Sequence, residues 1–256
     1  MLEVNKIYNM DCLEGMKMME DNSVDIVLSS PPYNTAKNGN ERAIKNYERR
    51  YDVYMEKRSN QEYQEWMIKI FEQFNRLLKE NGCILWNMSY GGENPMLMYD
   101  TLNSVCSNTP FMIADTIVWK KKSALPNNVS PNKLTRICEF VFVLCRTKEY
   151  KTFNTNKKVK TVGKTGQLFY ENVFNFIEAK NNDGSNPYNK ATFSTDLVKQ
   201  LLEMYSKNQT DIILDPFMGI GTTALGCIET GRNYIGFEIS QNQCNYFEEK
   251  KWDDDL

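Results

Sequence analysis

Short apolar runs alternate with amphipathic stretches along this chain. Val24-Asp25-Ile26-Val27-Leu28-Ser29 is mostly branched and apolar, the pattern of a buried strand. Ser59-Asn60-Gln61-Glu62 has the spacing of a capping box. Trp66, Ile70, Phe74 and Leu77 then recur at helical intervals, which predicts a helix to about Glu80 stopped by Asn81-Gly82. Residues 83–88 predict the next strand and residues 95–105 a helix. Residues 111–119 and 140–145 predict two more strands joined by a basic connection. Residues 154–189 are polar and rich in Asn, Lys and Gly, with stronger periodicity only over 168–177, and are expected to form an appended element outside the sheet core. A helix over 195–206, a strand over 211–214, a glycine loop, a helix over 222–229, a strand over 234–237 and a last helix capped by Ser240 follow. Alternation of this kind builds an α/β fold, a mostly parallel sheet with helices on both faces.

Composition narrows the chemistry. The 256 residues suffice for one α/β core with an appendage. No apolar stretch approaches the ~18 residues that span a bilayer, and Met1-Leu2-Glu3-Val4-Asn5 lacks the features of a signal peptide. A cytosolic protein without membrane attachment is expected, nucleoid-associated if bacterial. The seven cysteines form no CxxC pair, so neither a metal site nor a disulfide framework is indicated. There is no histidine. Histidine-based triads, HExxH zinc sites and a histidine general base are thereby excluded. Carboxylates, hydroxyls, backbone groups or a cofactor must do the work.

Charge is unevenly placed. The formal net charge is −2, yet residues 120–164 hold twelve Lys or Arg against Glu139 and Glu149, a balance of +10. Residues 37–58 hold seven against four, a balance of +3, so the remainder sums to −2 − 13 = −15. Backbone phosphates are the natural partner of such a segregated basic stretch.

Two motifs carry the candidate chemistry. Ser30-Pro31-Pro32-Tyr33 ends the first predicted strand. Neither proline has an N–H, so the turn is rigid and presents a carbonyl away from the sheet. With the Ser30 hydroxyl and the Tyr33 ring, this suits a planar base bearing an exocyclic amine. The second motif, Asp215-Pro216-Phe217-Met218-Gly219-Ile220-Gly221-Thr222-Thr223, joins a strand to a helix N-terminus. Gly219 and Gly221 allow close backbone approach there. Glu238 closes the next strand, where a carboxylate can accept both hydroxyls of a ribose. No P-loop lysine pattern is present.

These residues resemble the amino-group DNA methyltransferases that use S-adenosylmethionine. Ser30-Pro31-Pro32-Tyr33 is similar to their catalytic (D/N/S)PP(Y/F) tetrapeptide, and Asp215 to Thr223 to their cofactor loop, usually DPFxGSGTT. The tetrapeptide precedes the loop with the basic segment between them, the order of the β subgroup. Residues 7–16, with Asp11 and Cys12, resemble the family's opening, whose aspartate binds the cofactor's adenine amino group. Phe193, within residues 186–197, matches an aromatic lining the cofactor pocket.

The resemblance implies a Rossmann-like fold with a seven-stranded sheet containing one antiparallel hairpin. It implies a catalytic and cofactor-binding domain over 1–149 and 186–256, with a small target-recognition insertion at 150–185. It assigns cofactor contact to Asp11, Cys12, Phe193, Asp215, Pro216, Phe217, Gly219, Gly221, Thr222 and Glu238, with no metal. Residues 34–60 suit a mobile loop closing over double-stranded DNA, with Lys37, Arg42, Arg49 and Arg50 among Tyr47, Tyr51 and Tyr54. Lys120, Lys121, Lys122 and Arg136 are further candidates for the DNA backbone. The insertion is short for the subgroup, so a second protomer of a homodimer or a partner chain can share recognition.

The absence of a Pro-Cys dipeptide sets aside cytosine C5 chemistry and favours direct attack by an amino nitrogen of a flipped-out base, without a covalent intermediate. Serine at the head of the tetrapeptide is most often associated with cytosine N4 in the family and aspartate with adenine N6, so N4 is favoured over N6. An RNA methyltransferase and a degenerate, nucleic-acid-binding subunit are the rival readings.

Overall fold

The computed structural model describes residues 2–34, 58–90, 94–124, 126–189 and 192–253. Its strands are β1 (Lys6–Asn9), β2 (Val24–Ser29), β3 (Leu78–Met88), β4 (Phe111–Lys121), β5 (Cys138–Arg146), β6 (Val159–Val162), β7 (Leu168–Tyr170), β8 (Phe176–Ala179), β9 (Ile212–Asp215) and β10 (Asn233–Glu238). Its helices are α1 (Cys12–Lys17), α2 (Asn60–Leu77), α3 (Leu97–Asn108), α4 (Thr195–Tyr205), α5 (Thr222–Glu229) and α6 (Gln241–Asp253).

Eight strands form one sheet in the order β1-β10-β9-β2-β3-β5-β4-β8, and β6 pairs with β7 as a separate hairpin. Only β5 runs antiparallel to its neighbours in the large sheet. Both faces are covered. Ile84, Trp86 and Met88 of β3 belong to the layer shared with α1, α2 and α3, while Cys83 and Leu85 join the layer of α4, α5 and α6. That period of two, apolar on both sides, is what a doubly covered sheet requires.

Helix α2 opens on the expected capping box. Ser59 Oγ accepts from Glu62 N–H at 3.2 Å, and Glu62 Oε2 accepts from Ser59 N–H at 2.7 Å. The helix ends at Leu77, three residues short of the expected stop, and Asn81-Gly82 lies inside β3 instead. The reason is Arg146, almost fully buried. Its guanidinium donates to the carbonyls of Asn75, Leu78 and Lys79 at 2.8, 2.7 and 3.1 Å and is held by Glu149 at 3.1 Å. A cation that bonds the carbonyls at a helix C-terminus stabilises the end of the helix there. Residues 79–82 then bulge between the Val24↔Leu78 and Ile26↔Cys83 pairs, with Asn81 at φ 62°.

The segment expected outside the sheet core divides in two. β6 and β7 do stand apart, but β8 adds to β4 in parallel and buries Ile177 and Ala179, giving eight strands rather than seven. Only alternate side chains of this four-residue strand face inward, too few to stand out in a polar sequence.

Candidate active site

Six polar residues line up along the carboxyl edge of the sheet. Across β1, β10, β9, β2, β3 and β5 they are Asp11, Glu238, Asp215, Ser30, Asn87 and Glu139, each at or just beyond the end of its strand that meets this edge. From β2 the chain passes to β3 on one side, and from β9 to β10 on the other. The β9–β2 gap is therefore a topological switch point, where α/β sheets open a binding crevice.

Asp215 joins the two sides of that gap. Its Oδ1 accepts from Ser29 Oγ at 2.5 Å and Phe217 N–H at 2.9 Å, and its Oδ2 from Thr223 Oγ1 at 2.5 Å. Burial pushes its carboxyl up to about 6, against the pull of these three donors. Asp215 is 1% exposed, and its carboxylate clamps the β2 end to the glycine loop. Gly221 also serves packing. Its φ is 86°, and a Cβ there would overlap the Phe247 ring of α6. Gly219, at φ 57°, turns its N–H onto Glu238 Oε2 at 2.9 Å, while Ser240 N–H holds Oε1 at 2.8 Å. Pro216 in the loop and Thr222 at the start of α5 are buried. Phe217 is half-buried, its ring 5.4 Å from Trp66 and 6.2 Å from Trp86.

Asp11 lies close to Glu238 because β1 and β10 pair with Asn9 opposite Glu238, and Asn9 Nδ2 donates to the Glu238 carbonyl at 2.9 Å. Asp11 Oδ1 caps α1 through Leu13 N–H at 2.9 Å and Glu14 N–H at 3.3 Å. Cys12 is buried, and desolvation, with the Asp11 charge second, pushes its thiol up to about 12, so it packs as a small apolar side chain. Phe193 packs, half-buried, on the layer of α4 to α6.

The tetrapeptide is held from two sides. Tyr63 Oη donates to the Pro32 carbonyl at 2.8 Å. Asn87 Nδ2 donates to the Phe140 carbonyl at 3.0 Å, which orients its Oδ1 to accept from Tyr33 Oη at 3.0 Å. Tyr33 Oη in turn lies 3.0 Å from Ser30 Oγ. With the Tyr33 proton committed to Asn87, the Ser30 proton points to Tyr33, and the Ser30 lone pairs remain for a donor in the crevice. Glu139 Oε2 lies 3.4 Å from Tyr33 Oη, and its Oε1 pairs with Lys121 at 2.5 Å.

The basic candidates are less uniform than their sequence. Lys37, Arg42, Arg49 and Arg50, with residues 35–57 of the expected 34–60 loop, lie outside the described residues, while Ser59 and Asn60 already open α2. Lys120, Lys121 and Lys122 pair with Glu178, Glu139 and Asp196 at 2.6, 2.5 and 3.7 Å. Arg136 donates to the Tyr90 carbonyl at 2.5 Å and stacks 4.8 Å from that ring. Ser29, Tyr63, Asn87 and Glu139 were not singled out from sequence. Ser29 and Asn87 did leave a signal, as polar residues within otherwise apolar strands, where each needs a partner. Among the described residues, no helix is long and apolar enough to cross a membrane.

A family model described as DNA methylase matches residues 24–249. The type II methyltransferase M.BglII of Bacillus subtilis is 28% identical over 259 residues, covering 93% of this chain and 66% of its own length. M.HinfI of Haemophilus influenzae is 26% identical, covering 96% of this chain and 68% of itself. M.BamHI of Bacillus amyloliquefaciens is 26% identical, covering 97% and 57%. The chain thus spans about two thirds or less of these relatives. Among solved structures, the PvuII DNA methyltransferase (cytosine-N4-specific) superposes with a TM-score of 0.74 at 17% identity, covering 98% of this chain and 87% of that one. M1.HpyAVI superposes with a TM-score of 0.62 at 22% identity, covering 96% and 98%.

Proposed function

This chain belongs to the DNA methylase family, and from that premise we propose that it methylates double-stranded DNA at specific sites, on the exocyclic N4 of cytosine. The observation that carries the reading is the switch point itself. Ser30 to Tyr33 and the glycine loop flank one crevice, clamped together by the Ser29–Asp215–Thr223 hydrogen bonds.

The residues fit S-adenosylmethionine as the cofactor. Glu238 is oriented by two backbone N–H groups at the end of β10, placed to accept ribose hydroxyls. Asp11, at the neighbouring strand end, would take the adenine amine. The turn from Phe217 to Thr222 would approach the rest of the molecule. When bound, this cofactor would supply the methyl group from its sulfonium, the carbon–sulfur bond breaking to leave a neutral thioether as the amine nitrogen takes up the carbon.

The chain's own residues prepare that nitrogen. Its lone pair is delocalised into the base ring until Ser30 Oγ and the Pro31 carbonyl each accept one N–H and draw it toward tetrahedral geometry. The Tyr33 ring stacks on the extruded base. The methylated amine, now cationic, releases its proton to water.

Two observations favour cytosine N4: Ser30 heads the tetrapeptide, and a structural neighbour is described as cytosine-N4-specific. Within residues 150–185, target recognition is assigned to the part outside β8, which belongs to the sheet; the β6–β7 hairpin, with Val162, Leu168, Phe169 and Tyr170 exposed, supports this. The assignment includes a homodimer in which a second protomer completes so small a recognition surface. Arg136, with the basic residues of 37–50, is assigned to the DNA backbone.

The test is transfer of labelled methyl to duplex DNA, followed by nucleoside mass spectrometry. N4-methylcytosine is expected; N6-methyladenine would overturn the base assignment, and label in RNA alone would overturn the substrate. Ser30→Ala should lower turnover roughly a hundredfold with cofactor affinity within about twofold of wild type. Near-normal turnover in that variant would refute the role given to Ser30.

A further inference from the structure

The connection between β4 and β5 is a finger that leaves the same edge of the sheet as the tetrapeptide, and hydrogen bonds link its described parts across the two arms. At its base, Lys121 N–H donates to the Ile137 carbonyl at 2.8 Å. Asn181 Nδ2 donates to the Ser123 carbonyl at 2.8 Å, which ties the outgoing arm to the segment after β8. Further out, Asn127 N–H donates to Thr135 Oγ1 at 2.9 Å and Asn127 Nδ2 to the Lys133 carbonyl at 3.3 Å, closing the arms on each other. Ser130 Oγ and Asn132 Oδ1, 2.9 Å apart, shape the tip.

This finger presents apolar side chains to solvent. Val129 and Leu134 are 91% and 89% exposed, the highest values for large hydrophobics among the described residues. The cross-links between the arms hold Leu134 away from the core. Its neighbours are Lys133, Thr135 and Arg136, and no acidic residue occurs between Lys120 and Glu139. An exposed leucine in a loop whose charged residues are all basic suits a polyanion with an apolar interior, which describes a base stack inside its phosphates. Beneath the finger lies a cavity of about 560 Å³ bounded by Tyr90, Leu134, Arg136 and Phe140. Phe140 also fixes Asn87, so the cavity adjoins the Ser30–Tyr33–Asn87 chain.

We propose that Leu134 is the wedge that enters the duplex and occupies the space vacated by the target base. This rests on the methyltransferase reading above. Removing a base from the stack leaves an apolar gap one base step high, and the unpaired strand tends to close it. A leucine inserted there keeps the base out while the amine reaches Ser30. Leu134 is chosen over Val129 because it borders the cavity and stands two residues from Arg136, which anchors the finger to Tyr90.

The wild-type site is first located by sequencing DNA that the enzyme has methylated. Two short duplexes carrying that site are then compared in single turnovers, one fully paired and one with an abasic position opposite the target. Leu134→Ala should slow transfer to the paired duplex roughly ten- to hundredfold. On the abasic duplex, where the target has no partner to regain, its rate should stay within about twofold of wild type. Leu134→Met, which keeps the bulk, should restore the paired-duplex rate. Equal slowing on both duplexes, or none on either, would overturn the wedge while wild-type transfer upheld the methyltransferase reading. Absence of wild-type transfer to any DNA would overturn both.

Discussion

Asp215 offers the sharpest test of how the crevice is held together. Its carboxyl is fully buried and its pKa is raised from 3.8 to about 6. The native state therefore binds this proton more tightly than the unfolded chain does. The difference, 6 − 3.8 = 2.2 decades of proton affinity, corresponds to ~3 kcal/mol at 1.36 kcal/mol per decade. The sign follows from the direction. The contribution is fully present below about pH 3.8, where the group is protonated in both states, and is lost as pH rises through about 6. Asp215→Asn removes the titration, so every other carboxyl cancels when variant and wild type are compared. Urea unfolding at several pH values and constant ionic strength gives that comparison directly. Wild-type stability minus variant stability should fall by about 2–3 kcal/mol between about pH 4 and pH 7.5. A difference that is flat, or that grows with pH, would refute the clamp as described. Thr223→Val supplies an independent check. Losing one donor to the charged form should move the transition above that of wild type.

Two other outcomes follow from the geometry. Arg146→Met leaves Glu149 buried without its partner and removes the donor to the carbonyls of Asn75, Leu78 and Lys79, where α2 gives way to β3, so thermal or urea unfolding should show a loss of about 3–5 kcal/mol. Asn87→Leu removes the acceptor that orients Tyr33 and, through it, Ser30. Turnover should fall roughly tenfold, equivalent to about 1.4 kcal/mol, with cofactor affinity by titration unchanged; an equal loss in both would mean that Asn87 supports the fold rather than the hydroxyl chain.

Much of the fold could be read from the residues because local and global signals agree. The capping box at Ser59, the apolar runs of β2 and β9 and the helix over 222–229 each specify themselves within a few positions. What escaped was settled by distant residues. Helix α2 stops where Arg146, some seventy positions away, meets its carbonyls, and β8 is a strand because β4 offers it an edge. The site divides the same way. Ser30 and the glycine loop announce themselves by local geometry. Asn87 and Glu139 matter only because β3 and β5 bring them beside Tyr33, and Asp215 can act as a clamp only because β2 and the glycine loop converge on its carboxylate.

The pairing of β1 with β10 sets an order of events during synthesis. Asn9 and Glu238 sit side by side in the sheet yet are 229 residues apart in the chain. At ~5–20 residues per second, the strand made first waits on the order of ten to fifty seconds for the strand it joins. The tetrapeptide end of β2 can pair with β3 well before that. On a nascent chain the base-facing half of the crevice therefore precedes the half bearing Asp11 and Glu238, and the two carboxylates come together only as the last strand arrives.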